Sequence, residues 1–215
     1  MLLELTLPDQ IDLSAAARYL GCTPGEPVPQ LLRELAPGLL AAASPRAVWQ
    51  TVPLTDDLPW LTGRDICRHL AGCRSAILLA VTLGSRCDAY IRRVGVGNVA
   101  AAAGADALAS ALTEQVCDAA EEALRALHPD RYLTGRYSPG YGDWPLEHQP
   151  VLCAILDTSR TIGLAVTETC LLLPRKSVTA LLGVSSHPVT GTRAGCDHCA
   201  LAEKCQYRKR GTHCD

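Results

Sequence analysis

The chain has 215 residues, 48% of them hydrophobic, and its 20 Lys and Arg against 22 Asp and Glu give a formal net charge of -2. That length and apolar content suit one globular domain with at most a short appendage, and they exclude a disordered chain. The near-neutral charge and the scarcity of aromatics, 4% with no Phe, exclude nucleic acid and an anionic membrane as main partners, and no apolar run reaches the roughly 18 residues of a membrane span.

Residues 1–60 are cut by Pro24, Pro27, Pro29, Pro37, Pro45, Pro53 and Pro59 into short helical pieces, Leu13 to Leu20 and Gln30 to Leu35, and read as a Pro-rich wrapping arm of the same domain. Met1 to Leu7 carries Glu4 and lacks the basic start and cleavage site of a signal peptide, so a cytoplasmic location is expected. A core is expected over residues 61–191. Asp65 to Leu70 suits a short helix, and the continuous apolar run Ala76 to Leu83, closed by Gly84, suits a buried strand.

Gly95-Val96-Gly97-Asn98-Val99-Ala100 has the spacing of a dinucleotide fingerprint. No buried parallel strand precedes it and no acidic residue follows at the required distance, so these glycines are read as a tight entry into the next helix. That helix, Ala101 to Leu127, is the clearest element. Leu108, Leu112, Val116, Ala120, Leu124 and Leu127 form one stripe, opposite Ser110, Glu114, Asp118, Glu121 and Arg125, and His128-Pro129 stops it. Val151 to Leu156 and Ile162 to Leu173 read as strands and Val178 to Val184 as a short apolar element, which makes the fold class α+β. His69, His148 and His187 read as surface histidines.

Between the long helix and those strands lies Arg136-Tyr137-Ser138-Pro139-Gly140-Tyr141-Gly142-Asp143-Trp144-Pro145. Its prolines and glycines fix a path that lets backbone groups approach a ligand, and Arg136 offers donors suited to a carboxylate. Tyr141 and Trp144 suit an apolar or adenine-like surface. The segment reads either as a small-molecule site or as an ordered surface loop.

Arg136, Ser138, Pro139, Gly140, Tyr141 and Pro145 resemble the R-x-A/S-P-G-Y-x-x-x-P motif of the activation domain of cobalamin-dependent methionine synthase. Thr167-Glu168-Thr169, Pro174, Ser177-Val178 and Ser186-His187-Pro188 resemble the same family's later motifs in order. The resemblance spans about residues 106–188 and implies that family's fold, a mainly antiparallel sheet with packed helices. It further implies an S-adenosylmethionine site at Arg136, Ser138, Gly140 and Tyr141, with Glu114 in the place of the family's acidic helix contact. Arg136 would pair with the methionyl carboxylate and Glu114 with the α-amino group, and no catalytic nucleophile is implied. The implied task is reductive remethylation of cobalamin on a partner, a methionine synthase or a related corrinoid protein, with an electron donor. No corrinoid-binding D-x-H-x-x-G string occurs here, so action on a separate protein is expected.

The chain has eleven cysteines, which a reducing compartment keeps as thiols. Cys22, Cys67, Cys73, Cys87, Cys117, Cys153 and Cys170 lie among apolar residues and read as core thiols. Cys196, Cys199, Cys205 and Cys214 crowd a hydrophilic tail, residues 192–215, with His198 and His213 nearby. They are candidate ligands for zinc or an iron-sulfur cluster, and a cluster would suit the electron that remethylation needs. The competing expectation is a metal-binding interaction protein that keeps the fold without the methyl-donor role.

Overall fold

The computed structural model describes residues 1–23, 25–55 and 57–189. The N-terminal segment contributes β1 (Leu2–Leu3), α1 (Leu13–Tyr19), α2 (Gln30–Ala42) and β2 (Arg46–Pro53). The middle supplies α3 (Arg64–His69), β3 (Ser75–Thr82), α4 (Ser85–Val94), α5 (Val99–Leu127) and β4 (Tyr132–Leu133). After the loop come α6 (Gln149–Leu156), α7 (Thr158–Thr161), the short strands β5 (Ala165–Val166) and β6 (Leu172–Leu173), and β7 (Ser177–Ser185).

The main sheet runs β1-β2-β3-β7-β4 with every pairing antiparallel. Its central strand, β3, is apolar without alternation because both faces are covered. Ile77, Leu79 and Val81 pack into a core shared with α1, α2, α4 and α5. Leu78 and Ala80 face a second core with Trp60, Ile66 of α3, Trp144 and Leu152 of α6. Asn98 caps α5 by accepting the Ala101 N–H at 3.0 Å, and Leu108, Leu112, Val116, Ala120 and Leu124 lie on its buried side.

Three expectations change. Residues 46–53 are no part of a helical arm but a full strand, paired with β3 along its length. Pro45 and Pro53 bracket it, and buried Ala47, Val48 and Trp49 hide the alternation that would have marked it. Val151 to Leu156 is helical: Pro150 stands in the first turn of α6, where its missing N–H costs nothing, and a run this short cannot tell strand from buried helix. Ile162 to Leu173 holds only β5 and β6, which pair with each other around a turn where Cys170 has φ 62°.

Candidate functional site

Glu114, Asp118 and Glu121 recur along one side of α5, and Arg136 follows β4 so that its guanidinium reaches all three. Its Nη2 donates to Asp118 Oδ1 at 2.8 Å and to Glu114 Oε2 at 3.2 Å, and its Nη1 to Glu121 Oε2 at 3.0 Å. Glu121, assigned by its spacing to the polar face, is buried and also accepts from Arg125 Nη2 at 2.6 Å. Three carboxylates and two guanidiniums meet in this cluster. Burial opposes the charge on Arg136, but Cys117, Asp118 and Glu121 outweigh it and raise its pKa above the ordinary arginine value.

The loop from 136 to 145 is closed by its own backbone. Gly140 N–H donates to Trp144 O at 2.8 Å, Tyr141 N–H to Ser138 O at 3.2 Å and Trp144 N–H to Tyr141 O at 3.0 Å. Gly140 and Gly142 take φ of 92° and 53°, and a Cβ on Gly142 would strike Tyr137 and Asp65. Asp143 ties the loop to α3, its carboxylate accepting the N–H groups of Arg64 and Asp65 at 2.7 and 2.9 Å. Those two bonds, Asp65 first, hold its carboxyl below the usual carboxylate range.

Trp144 does not cover a ligand. It is buried, and its indole N–H donates to Trp60 O at 2.8 Å. Tyr141 is 66% exposed. His69 also departs from expectation: it is buried against Tyr137 and bonded to Gly135 O at 2.9 Å.

Glu114 and Tyr141 meet in a cleft of about 290 Å³, lined also by Tyr19, Ser110, Thr113, Arg175, Lys176 and Ser177. Arg136 is not among its lining residues, and neither are Ser138 and Gly140. Arg136 holds Glu114 by a hydrogen bond, and Ser138 and Gly140 belong to the loop that carries Tyr141. Arg175 and Lys176 escape sequence reasoning because nothing local marks them. Their only signal is position, just before the Ser177-Val178 motif.

The described cysteines are all free, and Cys87, Cys117 and Cys153 are buried as expected of core thiols. Burial pushes the Cys117 thiol up to about 12 and the Cys87 thiol to about 11, so both stay protonated and unreactive. Cys67 is exposed instead. Cys196, Cys199, Cys205 and Cys214 lie outside the described residues. Among the described residues no group of His, Cys, Asp and Glu is placed to hold a metal ion, and no helix is long and apolar enough to cross a membrane.

Residues 80–191 match the profile of the family described as vitamin B12 dependent methionine synthase, activation domain. No curated protein matches the sequence. Among solved structures, the chain is similar to the MetH reactivation domain bound to AdoHcy, with a TM-score of 0.56 and 17% identity over 95% of this chain and 82% of that one. At that identity the likeness speaks to the fold.

Proposed function

The chain belongs to the vitamin B12 dependent methionine synthase activation domain family, and from that premise we propose that its cleft binds S-adenosylmethionine for the reductive remethylation of cobalamin. The corrinoid sits on a module outside this sequence, a methionine synthase or a related corrinoid protein. The observation that carries the reading is the meeting of Glu114, Tyr141 and three hydroxyls, Ser110, Thr113 and Ser177, in one cleft.

These side chains fit a zwitterionic nucleoside with a sulfonium centre. Glu114 is half exposed and held by Arg136, so its carboxylate is aimed without being consumed. It receives the α-amino group and favours the nearby cationic sulfur. Tyr141 lays an exposed ring over the apolar part of the ligand, and the hydroxyls, whose protons go to Asp106 O, Ala109 O and Pro174 O, face its polar edges as acceptors. Arg136 and the loop backbone at Ser138 and Gly140 are further proposed contacts, on the family resemblance of the 136–145 motif.

The donor supplies the chemistry: as the partner's corrinoid accepts one electron, the methyl passes from sulfur to cobalt and S-adenosylhomocysteine remains. The protein's share is orientation and exclusion of water. Cys196, Cys199, Cys205 and Cys214 are proposed on spacing alone as a metal site at the electron-entry end of the system.

Calorimetric titration with S-adenosylmethionine tests the reading. One-to-one binding is expected, weakened roughly tenfold by Glu114→Ala, the loss of one charge-assisted hydrogen bond. No binding by the wild-type chain, even with a corrinoid module present, would overturn it.

A further inference from the structure

The 136–145 loop is fastened at both ends to one short element, α3. At its start, His69, the last residue of α3, meets Gly135 O through Nε2 at 2.9 Å. A carbonyl oxygen only accepts, so Nε2 carries the proton of that bond. The imidazole is buried and packs on Tyr137, with ring centroids 4.9 Å apart. Arg136 follows Gly135 directly, so a shift of that carbonyl would carry the guanidinium away from Glu114, Asp118 and Glu121.

At the other end, the Asp143 carboxylate takes the N–H groups of Arg64 and Asp65 in the first turn of α3. The N-cap of α3 is Gly63, which has no side chain to offer, so the cap comes from the loop instead. A Cβ on Gly63 would stand 2.6 Å from Asp143 Oδ1, and the contact therefore needs glycine there. Trp144 strengthens this end by donating to Trp60 O. Ile66, in the middle of α3, is buried in the second core with Trp60 and Trp144, which holds the helix itself in place.

We propose that α3 is a brace for the loop, with His69 and Asp143 as positioning residues for the ligand contacts it carries, Arg136 at its start and Tyr141 at its tip. Neither His69 nor Asp143 lines the cleft. They act by setting where the two ends of the loop stand. The inference rests on the reading of the cleft as an S-adenosylmethionine site.

The test is a double-variant cycle on the full chain, titrated with S-adenosylmethionine well below every thermal midpoint. His69→Leu and Asp143→Ala are each expected to weaken binding by about three- to tenfold, the loss of a hydrogen bond that orders the site. His69→Gln, which keeps a donor at the Nε2 position, should bind like wild type. Because one brace holds both ends, the double variant should bind little worse than the weaker single one. Hydrogen exchange at the Gly140 and Trp144 amides should quicken in both single variants while β3 stays protected. Undiminished affinity in the single variants, or losses that multiply in the double one, overturns the brace and leaves the cleft reading standing. Unchanged exchange in the loop overturns the brace whatever the binding, and wild-type chain that binds no S-adenosylmethionine overturns the cleft reading and the positioning role with it.

Discussion

At the residue scale, the chemistry of the site depends on which charges are already spent. Glu121 bridges Arg125 and Arg136 from a buried position, so Glu121→Gln leaves two guanidiniums without their shared counter-charge. Arg136 keeps Glu114 and Asp118, so a loss of about 1.5–3 kcal/mol, that of a charge-assisted hydrogen bond, is expected, read as a lower denaturant midpoint with an unchanged slope. His69 gives a pH signature. Burial lowers its pKa, against the opposing pull of Gly135 O and Glu121, so the unfolded chain takes up a proton before the folded one does. Stability from this site is present above the ordinary histidine value of about 6.5 and is lost as pH falls from there toward the lowered folded value. Unfolding curves across that window should show the loss in wild type and a flatter profile in His69→Gln, and equal slopes in the two would remove His69 as the cause. The motif residues Arg136, Pro139, Gly140 and Tyr141 are readable from sequence because they encode local backbone angles and one guanidinium. Their partners are not: Glu121 lies on a helix face whose spacing marks it as solvated, and Arg175 and Asp88 become neighbours only through an 87-residue separation.

At the element scale, periodicity succeeds where one element meets one environment. α5 has a single buried stripe along 29 residues, and β3 is apolar on both faces, so each pattern has one interpretation. α6 and β2 fail for opposite reasons, the first because eight residues are too few for a helical period to declare itself, the second because prolines at its ends mimic a loop. Packing between helices adds a constraint no pattern contains. Gly38 of α2 lies under the Tyr90 ring of α4, and an added Cβ would stand 2.6 Å from Tyr90 Oη, the hydroxyl that donates to Leu35 O at 2.9 Å. Gly38→Ala must displace that ring and lose its bond, at about 1–3 kcal/mol. For a chain of this size this corresponds to a midpoint lower by roughly 2–4 °C per kcal/mol, and an unchanged midpoint would show that α2 and α4 can part freely.

At the scale of the whole molecule, one antiparallel sheet separates two cores, and the cleft lies where α5, the 136–145 loop and the start of β7 come together. This placement brings family motifs distant in sequence to one cleft, as Tyr141 and Ser177 show, and the α+β class, readable from composition and pattern, says little about the site until the motifs are added. The proposed remethylation needs a corrinoid module that these 215 residues do not include. Its most direct test mixes the full chain with a corrinoid module in the cob(II)alamin state, S-adenosylmethionine labelled in the methyl group and a reductant, and follows label transfer to cobalt by absorbance and mass. Label on the corrinoid only when this chain is present, diminished by Glu114→Ala, is the predicted result. Equal transfer with and without the chain would contradict a role in reactivation.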